Sequence, residues 1–101
     1  MMRWPAESSS QQSAFDFWEF DLSTADFPIN LERDPEAPND ETKARPKARV
    51  IEALAGAGTL KIKNFFGTAR DLTVNEGGAY AIQATTIETG STGVTRIRVW
   101  W

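Results

Sequence analysis

The sequence predicts an all-β fold, a small antiparallel β-sandwich or barrel-like module with a long extended N-terminal arm. Apolar and polar residues alternate with a period of two over five short runs in the second half of the 101-residue chain, which is typical of half-buried strands. All seven glycines lie in that half, between the runs, where tight turns use them. All five prolines lie at or before Pro46, in a part of the chain rich in charge.

The predicted arm spans residues 1–46 and differs in charge from the rest of the chain. It carries ten acidic and four basic residues, whereas residues 47–101 carry four acidic and seven basic ones. Such asymmetry usually marks an arm beside a folded module. Because polar residues and prolines dominate residues 1–13 and 32–46, we expect both stretches to be irregular or extended rather than helical.

An aromatic segment, residues 14–31, interrupts the arm and is too apolar to remain in water. It packs on its own module as an edge strand and loop, or it docks on a neighbouring subunit; the sequence leaves both interpretations open. Phe17 and Phe20 are three residues apart and therefore do not share one face of a strand. This spacing favours contact with two surfaces. The predicted partner-binding residues of the arm are Trp4, Phe15, Phe17, Trp18, Phe20 and Phe27.

The module, residues 47–101, contains the alternating runs. The predicted strands span residues 48–54, 58–65, 71–75, 79–87 and 94–101. In the second of them Leu60 and Ile62 share one face, opposite Lys61 and Lys63. The glycine-containing segments AGAG, NFFGTA, NEGG and ETGSTG supply turns between strands.

The last two predicted strands carry the most informative side chains. Over residues 79–87 the alternation places Tyr80 on the apolar face and Thr85 on the polar face. The terminal strand has an apolar face that includes Trp101, which predicts that this tryptophan is buried. Its opposite face is predicted to bind a partner through Arg96, Arg98 and Trp100. Trp100 itself stacks on Arg98 or another guanidinium, meets a partner, or is a partly exposed aromatic covered by the acidic arm; the sequence leaves these interpretations open.

The composition contains little that supports catalysis. The chain has neither cysteine nor histidine, which removes disulfides, thiolate metal sites and the commonest general base. We predict no catalytic residues, no cofactor and no metal site. No apolar run approaches the roughly 20 residues of a membrane span, so no membrane partner is expected. Nucleic acid is not an expected partner at a net charge of −3, unless Lys61, Lys63, Arg96 and Arg98 form one basic stripe.

A module of only 55 residues has a small core, and chains of this size are marginally stable without disulfides, a metal or oligomerisation. The first two are not expected here. We therefore predict a homo-oligomer.

The sequence also resembles small all-β structural proteins of bacteriophages and gene transfer agents, of the capsid spike-base, cement or decoration type. The similarity spans about residues 58–101 and rests on the lysine-containing strand TLKIKN, the glycine turn at Gly77 and Gly78, the hairpin at Thr89–Gly93 and the final strand. It implies a non-enzymatic virion protein, made in the host bacterial cytoplasm. Its β module would oligomerise, with a trimer favoured, and its arm would anchor to phage capsid or other virion proteins.

Three alternatives remain open at the level of sequence. The end of the chain, with Tyr80 on the penultimate strand, also fits an immunoglobulin-like domain of a tail or neck protein. A carbohydrate-binding or adhesin module would use Trp100 and Tyr80 as stacking platforms. A small inhibitor protein would insert the acidic, aromatic arm into a partner's groove.

Overall fold

The protein is all-β, as the alternation predicted, and is built from two four-stranded antiparallel sheets. The computed structural model describes residues 15–24 and 27–101. The strands in chain order are β1 (Phe17–Asp21), β2 (Ile29–Asn30), β3 (Val50–Ala55), β4 (Gly58–Asn64), β5 (Ala69–Val74), β6 (Ala79–Tyr80), β7 (Ala84–Ile87) and β8 (Arg96–Trp100). The first sheet has the order β1-β8-β3-β6, and the second has the order β2-β7-β4-β5.

The core lies between the two sheets, because one buried cluster draws side chains from both. Ile51 of β3 and Ile97 of β8 come from the first sheet, and Leu60 and Ile62 of β4 come from the second. Leu60 and Ile62 therefore share the inward face, as their alternation with two lysines predicted. Trp101 follows β8 and is 1% exposed, which confirms that the chain end is packed.

The aromatic segment contributes strands to both sheets. β1 pairs with β8, and β2 pairs with β7, both antiparallel. Leu31, directly after β2, is fully buried in the core. Of the two interpretations of this segment, its described residues therefore adopt the edge strand and loop. Residue 46 is not a boundary between separately folded parts, and the core is larger than a count over residues 47–101 implies.

The rest of the first half connects β2 to β3 mainly through turns. A 3-10 helix, Glu41–Lys43, is the one helical element among the described residues. Asp40 caps this short helix by accepting a hydrogen bond from the Thr42 backbone N–H at 2.9 Å. Residues 32–46 are therefore irregular, as the prolines predicted, whereas residues 1–13 lie outside the described part of the chain.

The predicted strand over residues 79–87 is wrong as a single element. It forms two strands, β6 and β7, that belong to different sheets. Residues 81–83 carry the chain across the sandwich, and this crossing resets the alternation of faces. Thr85, predicted on a polar face, is consequently only 8% exposed, and its carbonyl accepts a hydrogen bond from the Leu31 backbone N–H at 2.9 Å.

The loop between β3 and β4 crosses the loop before β8 at very short range. Thr59 and Thr92 exchange two backbone hydrogen bonds, each of 2.9 Å. Gly93 sits at this crossing with a φ of +83°, and a Cβ atom there would lie 2.1 Å from the carbonyl oxygen of Ala57. The crossing therefore requires glycine for its backbone angle and for its space.

Candidate partner-binding surface

The outward face of the first sheet begins with a row of apolar side chains that crosses three strands. The register sets Phe17 of β1 opposite Trp100 of β8, and Trp100 opposite Val50 of β3. The Phe17 and Trp100 rings lie 4.9 Å apart at an interplanar angle of 39°. Side chains that face each other across strands stabilise a sheet. This row therefore holds β1 against β8 and presents an aromatic surface to the outside.

A charged row runs beside the aromatic one, centred on Arg98. The carboxylate of Glu19 lies 2.7 Å from Arg98 on one oxygen and 2.7 Å from Arg96 on the other. Glu52 of β3 lies 3.6 Å from Arg98 on its other side. The pKa of Glu19 is lowered in this arrangement, because the hydrogen bond from Arg98 favours the ionised carboxylate. The arginines thus have acidic partners within their own chain.

Trp100 connects the two rows. Its indole N–H donates to the Glu52 carboxylate, and the Arg98 guanidinium carbon lies 5.8 Å from its ring centroid. The same guanidinium lies 5.4 Å from the Phe17 ring. The predicted stacking of Trp100 with an arginine is therefore present. Arg96, Arg98 and Trp100 form one surface with two residues of the first half, Phe17 and Glu19.

The outer edge of β1 carries exposed aromatic side chains. Phe15 is 68% exposed, Phe17 47% and Trp18 36%, and β1 is an outermost strand of its sheet. Asp16 and Trp101 exchange backbone hydrogen bonds. Because hydrogen-bonded positions alternate along an antiparallel pair, the backbone groups of Phe17 and Glu19 point away from β8. An apolar edge strand of this kind is a template for pairing with another chain.

The remaining predicted residues of the arm have different locations. Phe20 points inward and packs against the core. Phe27 is 79% exposed and lies between β1 and β2. Trp4 lies outside the described residues. Sequence reasoning grouped these side chains with the edge aromatics, whereas the structure separates them.

Phe20 and Phe27 both line an open groove of about 530 Å³. Its walls come from the end of β1, from β2 and from the proline-rich turns that follow β2. The apolar residues that line this groove, called here the proline groove, are Phe20, Phe27, Pro28, Ile29, Pro35 and Pro38.

Sequence reasoning missed Arg45, which lay in a charged run that resembles a solvated linker. Its side chain is only 9% exposed and forms ion pairs with Asp16 at 2.9 Å and Asp34 at 3.4 Å. Its guanidinium carbon lies 4.5 Å from the centroid of the Trp101 ring. The pKa of Asp16 is lowered, first by a hydrogen bond from the Phe17 backbone N–H and then by Arg45. Arg45 therefore ties the turns after β2 to the chain end.

Sequence reasoning also missed the two phenylalanines of the β4–β5 hairpin turn, which were assigned only to a connector. Phe66 is 84% exposed and Phe65 is 45% exposed. Their rings meet edge to face, with centroids 5.1 Å apart. Two adjacent large apolar residues in a turn of the type NFFG are the signal that was available.

Two further sequence-based ideas do not match the geometry. Lys61 and Lys63 lie on β4 in the second sheet, so they form no stripe with Arg96 and Arg98 of the first. Their neighbours are the carboxylates of Asp71 and Glu88, respectively.

Tyr80 and Trp100 do not form one stacking platform. Tyr80 pairs with the inward residue Ile51, whereas Trp100 pairs with Val50 on the outward face. The Tyr80 hydroxyl instead accepts a hydrogen bond from the Asn75 backbone N–H at 2.7 Å. This tyrosine therefore contributes to the fold.

Within residues 15–24 and 27–101, no group of three or more acidic side chains is placed to hold a metal ion. The same part of the chain has no helix long and apolar enough to cross a membrane. Comparison with known proteins gave no matching family model, no matching curated protein and no matching solved structure.

Proposed function

We propose that this chain is a non-enzymatic structural subunit of a bacteriophage virion, acting as a capsid cement, decoration or spike-base protein. The observation that carries the proposal is the exposed aromatic edge of β1, with Phe15, Phe17 and Trp18 along a strand that, within the described part of the chain, is paired on one side only. The resemblance of residues 58–101 to phage structural proteins supplies the class of assembly.

The edge and its neighbouring face suit binding to another protein better than binding to a small molecule. Backbone groups of β1 that point away from β8, such as those of Glu19, can add a strand from a partner, which gives affinity with little dependence on side chains. The aromatic row beside it provides apolar area, and aromatic residues are enriched in protein interfaces. The ion pairs of Arg98 with Glu19 and Glu52 lie on the adjoining surface. The subunit would bind its own copies, as the trimer expected of a protein of this virion class, and neighbouring virion proteins.

The test uses particles assembled in the bacterium that encodes the chain. A tagged copy is expressed, particles are separated on a density gradient, and copies per particle are counted by quantitative mass spectrometry. We expect the protein to co-sediment with particles in a fixed ratio. The double variant Phe17→Thr with Trp18→Thr keeps strand-forming residues and should reduce the ratio about tenfold or more.

The matched control is Thr73→Ala on β5, an outermost strand of the other sheet. It should co-sediment like the unaltered protein. If the unaltered protein stays out of the particle fractions while complete particles are present, the proposed function is wrong. If the double variant binds as well as the control, the edge of β1 is not the contact.

A further inference from the structure

We infer that the Phe66 tip of the β4–β5 hairpin docks into the proline groove of a second copy of this chain. The inference rests on the proposed function, since it names one contact by which an assembly subunit binds its own copies. It uses two surfaces apart from the edge of β1.

The hairpin tip is an ordered turn that holds an apolar ring in the open. The Asn64 side-chain oxygen accepts hydrogen bonds from the backbone N–H groups of Phe66 at 2.9 Å and Thr68 at 3.0 Å. Gly67 supplies the left-handed position, with a φ of +78°. Asn64 and Gly67 therefore build the turn, and the Phe66 ring adds an edge-to-face contact with Phe65. An exposed large apolar residue on an ordered support is the usual form of an interface anchor.

The proline groove offers a complementary surface. Its volume of about 530 Å³ falls in the roughly 300–1,000 Å³ range of concave sites that enclose small ligands. Two phenylalanine rings and three prolines line it, and aromatic rings pack well against one another in edge-to-face and offset arrangements. Phe27 is itself 79% exposed, so one side of the groove is uncovered in a single chain.

The charges beside the groove are mainly acidic, with Arg96 near Asp21 and with Lys43 and Arg33 near Asp40, whereas a basic residue lies beside the tip. Asp21 and Asp40 adjoin residues that line the groove, and the pKa values of both are lowered by hydrogen bonds from Ser23 and Thr42, so both are ionised at neutral pH. Glu36, between two groove prolines, is exposed. On the tip side, Arg70 of β5 is exposed two residues beyond the turn. Opposite potentials across an interface orient the partners and raise the rate of association.

Within one chain the tip and the groove are not in contact. The groove is built beside β2, and the tip joins β4 to β5, whereas β2 and β5 are the two outermost strands of the second sheet. Neither Phe65 nor Phe66 lines the groove. A tip and a groove on different parts of one molecule make a heterologous contact, which closes into a ring or extends into a filament.

The absence of cysteine from the sequence allows a direct test by disulfide cross-linking between two single variants. Phe66→Cys is prepared with natural isotopes and Asn39→Cys, at the groove, with ¹⁵N. The two are mixed and oxidised, and the products are identified by mass. The control pair replaces Phe66→Cys with Thr73→Cys, an exposed site on the same hairpin but away from its tip. We expect at least about tenfold more mixed dimer from the first pair than from the control.

A second measurement uses sedimentation of the full chain without engineered cysteines. Phe66→Ser should weaken self-association about tenfold or more and leave the melting temperature unchanged, because the ring is 84% exposed. Equal cross-linking by both pairs, a dominant Phe66→Cys dimer with itself, or unchanged association of Phe66→Ser would each overturn the inference. A protein that binds particles but does not associate with itself would refute this contact and the trimer, and would leave the proposed role as a virion subunit standing.

Discussion

Trp100 and Trp101 are adjacent in the chain but lie on opposite sides of the first sheet. Trp101 is buried, and its indole N–H donates to the Leu31 carbonyl at 2.7 Å. Trp100 lies outside, against Phe17 and Glu52. A strand alternates its side chains between two faces, so neighbours along it meet different surroundings. The inner tryptophan therefore contributes to folding, and the outer one contributes to the surface.

Replacing each tryptophan by alanine should separate these roles. Trp101→Ala leaves a cavity and an unpaired Leu31 carbonyl, and we expect it to lower the free energy of unfolding by about 3–5 kcal/mol. Trp100→Ala removes the contact with Phe17 and one hydrogen bond, and should cost about 1–2 kcal/mol. Urea unfolding of both variants measures the difference. A larger loss from Trp100→Ala would indicate a register shifted by one residue.

Glu19 gives the stability of the protein a dependence on pH. Its pKa is lowered in the folded state, chiefly by the hydrogen bond from Arg98. A lowered carboxyl pKa contributes stability above the unfolded-state pKa, and that contribution is lost as the pH falls through the folded-state pKa. The same sign applies to Asp16, Asp21 and Asp40.

Glu19→Gln should therefore be less stable than the unaltered protein at pH 7. As the pH falls from about 5 towards 3, the two proteins should converge, because the unaltered carboxylate becomes protonated. Melting temperature against pH measures this. The control Glu41→Gln, at an exposed position of the 3-10 helix, should follow the unaltered protein. A gap that stays constant across this pH range would show that Glu19 acts through packing rather than charge.

At the scale of elements, the crossing near Gly93 joins the β3–β4 loop to the loop before β8. Gly67, in the β4–β5 turn, has nearly the same backbone angle, with φ values of +78° for Gly67 and +83° for Gly93. A Cβ atom at Gly67 would meet nothing within 4 Å, whereas one at Gly93 would meet the Ala57 carbonyl. The two glycines thus share a left-handed backbone angle but differ in the space that is available for a side chain.

Replacing each of these two glycines by alanine isolates the effect of the close backbone approach at Gly93. Gly67→Ala should lower the free energy of unfolding by about 1–2 kcal/mol, which is the cost of the left-handed angle alone. Gly93→Ala should lose roughly 2 kcal/mol more, since two backbone segments must move apart. Chemical denaturation of both variants measures the difference. Equal losses would mean that the loops separate at no cost.

Strands were predictable where local alternation alone determines the burial of a side chain. Residues 58–64 show this, because the alternating residues Leu60 and Ile62 are the buried positions of β4. The prediction failed over residues 79–87, where the chain changes sheets between β6 and β7. A period of two carries no information on which sheet a strand joins. That choice depends on contacts with strands far away in the sequence.

At the scale of the molecule, the same limit explains why residues 1–46 were assigned to a separate arm. Glu19 bonds Arg96, 77 residues further along the chain, and no local pattern reveals such a pairing. The outward face of the first sheet was half predicted: Arg96, Arg98 and Trp100 followed from alternation, but their partners Glu19 and Glu52 did not. Phe66 was missed because its neighbours indicated a turn, and a turn signal carries no information on the exposure of the side chains within it.

Both halves of the sequence are joined throughout the sandwich. β8 lies between β1 and β3, and β7 lies between β2 and β4. Leu31 is fully buried, and Arg45 packs its guanidinium on Trp101. Removal of the first half would therefore leave β8 and β7 each unpaired on one side and open the core to water.

We expect the fragment 47–101 to lack a cooperative unfolding transition on its own. Addition of a peptide spanning residues 15–46 should restore that transition, because the peptide supplies β1, β2 and the buried Leu31. A peptide with Leu31→Asp is the matched control and should fail, since an unpaired carboxylate in the core is strongly unfavourable. Tryptophan fluorescence during urea titration follows the transition. A fragment 47–101 that unfolds cooperatively without any peptide would show that the second half folds independently and that the first half is an addition to a complete module.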